Sequence, residues 1–194
     1  MLPKGSISKV YKYYFTSPLY TAEIMRALLE FFDDPDLRPG GSFEADEKSK
    51  GFFNEWFLYD FVLENGGSPL ANFVARNPLE LSAIKMTLYK DLLATHEYGL
   101  FEVLKVDVNN GLLLKNLQTG ERIYVKEQKL TLQVKPGAIF FSRVGQVGDH
   151  HELVGADTFA LAGVSEEIKG LLGDLGFKLT PKLACDIWNQ RRIE

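Results

Sequence analysis

Cysteine is almost missing from this chain: Cys185 is the only one in 194 residues. A single thiol excludes a disulfide framework and any zinc site built on paired cysteines, and it suits a reducing compartment. No apolar run approaches the roughly 18 residues of a membrane-spanning helix. No apolar stretch follows the basic segment around Lys9 and Lys12, so no signal peptide is predicted and a cytoplasmic location is expected. A basic excess is also lacking. The 22 Lys and Arg are outnumbered by 26 Asp and Glu, for a net charge of −4, which speaks against a chain whose main task is gripping nucleic-acid phosphates. The Gly-x-Ser-x-Gly elbow, the phosphate-binding loop and the dinucleotide fingerprint do not occur.

Aromatic residues are plentiful: 14 Phe, 8 Tyr and 2 Trp make up 12% of the chain and can fill a sizeable core. They gather first in a helical half. Ser17-Pro18, Ser68-Pro69 and Asn77-Pro78 each pair a cap residue with a proline suited to the first helical position, so each predicts a helix start. Between them, residues 51–64 are apolar on nearly every side, with Phe52, Phe53, Trp56, Phe57, Tyr59 and Phe61. This segment predicts a buried central helix, closed by Asn65-Gly66-Gly67. Residues 33–50 are acidic and hold Pro and Gly, which predicts a long loop.

At Tyr98-Gly99 the pattern changes. Residues 100–108 are rich in β-branched and aromatic side chains, and Asn110-Gly111 predicts a hairpin turn into 112–117. Gln118-Thr119-Gly120 predicts a second hairpin loop before 122–127. Pro136-Gly137 precedes an apolar strand over 138–147. Short strands follow near 150–154 and 158–161. Helices are expected over 165–176 and from Thr180-Pro181 through Trp188. The fold class expected is α+β: an N-terminal helical bundle packed on a small antiparallel open β-barrel, with two C-terminal helices. The corresponding segments are 1–98, containing the 33–50 loop, then 99–162, then 163–194. Residues 1–99 carry 10 basic and 14 acidic side chains, whereas 100–160 carry 7 of each and 161–194 carry 5 of each. The net charge therefore lies in the helical half.

Chemistry-bearing residues are few. His150-His151-Glu152 falls on a predicted strand, where neighbours point to opposite faces. His150 and Glu152 can therefore share a site that His151 cannot. His151-Glu152-Leu153-Val154-Gly155 lacks the second histidine of a zincin helix, so no metal and no cofactor are expected. Asp107-Val108-Asn109-Asn110-Gly111 misplaces the glycine of a calcium loop and reads as a turn. Cys185 sits among Leu183, Ala184 and Ile187, as a buried structural thiol would. Arg143, Lys126, Lys129 and Lys135, with Phe140, Phe141 and Tyr124, would form a basic aromatic stripe for single-stranded nucleic acid. Arg143 set among apolar neighbours calls for a carboxylate, with Glu152 or Asp149 at hand, or for an anionic ligand. Any ligand is expected near Phe141, Arg143, His150 and Glu152.

The segment Asn54-Glu55-Trp56-Phe57-Leu58-Tyr59-Asp60-Phe61, followed by Gly67-Ser68-Pro69-Leu70 with Phe73 and by Tyr98-Gly99-Leu100-Phe101-Glu102-Val103, resembles the body of bacterial proteins that carry a C-terminal SEC-C motif. The resemblance continues through 111–121 and Pro136-Gly137-Ala138-Ile139-Phe140-Phe141-Ser142-Arg143-Val144, covering roughly residues 51–160. It implies an aromatic helix and a short helix ahead of a small β-domain. The zinc-binding cysteine tail that names the group has no counterpart here, so its zinc function does not carry over, and no functional residue transfers. The function expected is a non-enzymatic module that binds a protein partner, away from membranes. The alternatives are a nucleic-acid-binding module that uses the barrel, and an enzyme assembled around His150, Glu152, Asp149 and Arg143.

Overall fold

A computed structural model of the chain describes residues 3, 5–33, 46–155, 159–161 and 179–190. The expected helix at 165–176 and most of the expected acidic loop lie outside them. The described residues form an α+β structure with six α-helices and one mixed sheet. They divide into two compact units. One runs from Ala83 to Thr180, and the other joins Pro3–Ser82 to the segment that begins at Pro181.

The helical unit holds α1 (Ser6–Thr16), a short 3-10 turn (Pro18–Tyr20), α2 (Thr21–Phe32), α3 (Glu47–Tyr59), α4 (Pro69–Arg76) and α6 (Pro181–Gln190). Helix α3 is its centre. Phe52, Phe53, Trp56, Phe57 and Leu58 are all buried, as a helix without a broad polar face requires. The rings of Phe31, Phe53, Phe57 and Phe61 follow one another with centroids 5.5–5.9 Å apart. Helix α3 begins earlier than expected, inside the acidic segment, because the Asp46 carboxylate caps it by accepting from the amides of Lys48 and Ser49. It also ends earlier, at Tyr59, and Gly66 and Gly67 serve a separate turn at positive φ.

The cap-and-proline expectation holds for Ser68, whose hydroxyl accepts from the Ala71 amide. It fails at Asn77-Pro78. Asn77 adopts a left-handed conformation (φ 45°) and closes α4, while its side-chain amide bonds both the N–H and the C=O of Leu81. Asparagine serves either end of a helix, and here the C-terminal use prevails.

The second unit holds α5 (Ala83–Thr95) and strands β1 (Glu97–Asp107), β2 (Gly111–Asn116), β3 (Arg122–Lys126), β4 (Ile139–Val147), β5 (His150–Leu153) and β6 (Phe159–Leu161). Helix α5 therefore groups with the strands and α6 with the helices, unlike the division into three consecutive segments. β1 pairs with β2, β2 with β3, β3 with β5, β5 with β4, and β4 back with β1, while β6 adds to β4. All these pairings are antiparallel except β3–β5, which is parallel. The expectation of a wholly antiparallel sheet is thus corrected, and the reason is topological. Five strands paired in a cycle cannot alternate in direction all the way round, so at least one pair must run parallel.

Strand alternation sorts the side chains. Phe101, Val103, Leu112, Leu114, Val125, Phe140 and Val144 form one buried cluster on the inner face. Phe141, Arg143 and Gly145 occupy the other face of β4, against which α5 packs.

Candidate functional site

The four residues singled out from the sequence fall on β4 and β5, and all of them point away from the inner cluster. Gly145 is registered opposite Glu152, and Val147 opposite His150. Phe141 and Arg143 are wholly buried. The Arg143 guanidinium donates from Nη1 to His96 Nδ1 at 2.8 Å and lies 5.4 Å from the centre of the Tyr98 ring. Arginine has no acceptor, so His96 Nδ1 must accept. Both carboxylates read from the sequence as partners for Arg143 bond His150. Its Nδ1 lies 2.6 Å from Asp149 and its Nε2 lies 2.8 Å from Glu152. The hydrogen bond from His150, reinforced by the charge of Lys126, lowers the Asp149 pKa. Sequence alternation rightly placed His150 and Glu152 together. With both ring nitrogens engaged, however, this histidine turns neither of them toward a ligand.

The stripe read for nucleic acid is taken apart by burial. Phe140, Phe141 and Arg143 are in the core, and of the aromatic members only Tyr124 is exposed. Cys185 is buried on α6 and its thiol pKa is raised by that burial, so it is held as the inert thiol.

A concave site lies elsewhere, at the end of the sheet where β1 starts, β2 ends and β3 starts. It is an open cavity of about 200 Å³. Its floor is the edge of the inner cluster: Phe101, Ile123 and Val144. Its wall is polar, with Glu97, Asn116, Glu121 and His151, and Thr95 at the end of α5. The register explains the gathering. Glu97 lies opposite Val144, Asn116 opposite Phe101, and His151 opposite both Val125 and Gln146, so all face inward. Asn116 is buried and bridges the wall, donating to Glu97 Oε1 at 2.7 Å while its Oδ1 accepts from the amides of Gln118 and Thr119. The His151 imidazole has no hydrogen-bond partner, and neither Glu97 nor Glu121 has an ion-pair partner, among the described residues. These four residues were missed because reading the sequence ranked His151 as the histidine left out of a site. The signal was present in the alternation that separates His151 from His150, but a strand pattern does not say which other strands supply the facing groups.

No family model, no curated protein and no solved structure matches the chain.

Proposed function

We propose that this chain is a non-enzymatic binding module. Its sheet unit is a small barrel that receives one side chain of a protein partner at its mouth. The cycle of strand pairings supports the barrel reading, since a sheet whose last strand returns to its first has an inside and two ends. The observation that carries the function is the mouth itself: about 200 Å³ of open space, apolar at the floor and polar at the wall. That volume suits a single side chain rather than a cofactor, and convergent polar groups over an apolar floor are what a recognition pocket needs. The enzyme reading loses its acid–base group, because His150 is held between two carboxylates. The nucleic-acid reading loses two of its three stacking faces, Phe140 and Phe141, to the core. A cytoplasmic bacterial setting, with kinship to the body of SEC-C proteins, belongs to the same proposal and draws on the aromatic helix and the single thiol.

The test is a titration of the isotope-labelled chain with small neutral, cationic, anionic and aromatic fragments, followed by backbone amide shifts. Shifts are expected around residues 95–97, 116–123, 144 and 151. Shifts confined to 143 and 149–152, or salt-sensitive binding of single-stranded oligonucleotides with no fragment at the mouth, would replace the proposal with one of its rivals.

A further inference from the structure

We infer that the mouth is selective for an organic cation, a primary ammonium or guanidinium at the end of a short apolar stem. This inference rests on reading the mouth as a binding site and names what it takes. Glu97 and Glu121 present two carboxylates to one cavity, and the described cations neutralise neither. No described lysine or arginine lines the cavity. A cation entering there gains two charge-assisted contacts without breaking an internal pair. The His151 imidazole, without a hydrogen-bond partner among the described residues, offers an acceptor nitrogen in its neutral form. Glu97 is already oriented by Asn116, which is itself fixed by two backbone amides of the following turn, so the carboxylate is held in place before a ligand arrives.

The floor decides the rest of the ligand. Phe101, Ile123 and Val144 give a hydrated ion no polar contact but suit a few methylenes. No three of the described acidic, histidine or cysteine side chains converge closely enough to ligate one metal ion, so the cavity suits the head of an organic cation better than a bare ion. Lysine and arginine side chains have this form, and so does a free alkylamine. The chemistry is shared, and the two sources can be told apart.

The experiment uses the full chain and four probes: the Nα-acetyl methylamides of lysine, arginine and Nε-acetyl-lysine, and butylammonium. The charged probes are expected to shift the amides at the mouth, with Nε-acetyl-lysine weaker by about tenfold or more, the loss expected when a charge-assisted contact is removed. Equal or tighter binding of butylammonium assigns the site to free amines, and weaker binding assigns it to protein side chains. Glu97→Gln with Glu121→Gln should weaken the charged probes by about tenfold, and Glu102→Gln, on the opposite face of β1, should not. Glu121→Gln alone, at an exposed position, keeps the test valid if the double variant does not fold. Nε-acetyl-lysine binding as tightly as lysine, or charged probes indifferent to the glutamine variants, overturns the cation assignment. Neutral fragments at the mouth with no cation there would leave the binding module standing and remove this inference. No probe at the mouth removes both.

Discussion

Among the described residues, Arg143 is the largest that the fold buries completely. A guanidinium taken out of water needs its donors met, and here one of them meets His96 while the ring of Tyr98 lies nearby. Arg143→Ala should cost about 3–5 kcal/mol, the range for removing one member of a buried charged contact. Chemical denaturation would measure it. A double-mutant cycle with His96→Ala should give clear non-additivity, and purely additive losses would show that the contact carries nothing. Asp149 behaves differently because it is exposed. Its pKa lies below its ordinary 3.8, first through the hydrogen bond from His150 and then through Lys126. A carboxyl depressed by folding adds stability that is complete above its ordinary value and is lost as the pH falls through the folded value. Melting temperatures of the parent chain and Asp149→Asn should therefore differ near neutral pH and converge at the acid end. A gap that does not change with pH would refute the linkage.

At the scale of elements, the β1–β2 hairpin shows how a familiar signal can be used in another way. Asn110-Gly111 predicts a hairpin turn. In the structure the turn is closed by the Asn110 amide on Asp107 O, and Asn109 takes the positive φ, 64°. Gly111 is needed for space. A Cβ there would lie 2.2 Å from Val125 O and 2.8 Å from the Tyr124 ring. Gly111→Ala should therefore push β2 from β3 and destabilise the chain by about 1–3 kcal/mol. Asn109→Gly, where the backbone already suits glycine, should stay within about 0.5 kcal/mol. If the two substitutions cost the same, the close approach is not what Gly111 serves.

At the scale of the molecule, each unit has a core of its own: the Phe and Trp rings around α3 in one, the inner face of the sheet in the other. Both tryptophans, Trp56 and Trp188, belong to the helical unit. Tryptophan fluorescence therefore reports that unit alone, whereas amide exchange in β1 and β4 reports the sheet. Arg143→Ala is expected to lower the protection of β1 and β4 while moving the fluorescence transition less. Equal shifts in both would mean that the chain unfolds as one cooperative block.

Local order was determined by the sequence by itself. The aromatic run of residues 51–59 had to be buried whatever surrounded it, because it leaves no face for water. The strands read at 100–108, 112–117, 122–127 and 138–147 follow from residue type and turn residues, which act over a few positions, and the structure moves their ends by three residues at most. Alternation also put His150 and Glu152 on one face. Tertiary structure decided what lies across from each strand. The return of β4 to β1 and the parallel meeting of β3 with β5 bring Glu97, Asn116, Glu121 and His151 to one opening, although 54 positions separate the first from the last. Periodicity fixes the face on which a side chain stands. Only the pairing of distant strands, driven by burial of the whole inner face, fixes which side chains stand there together.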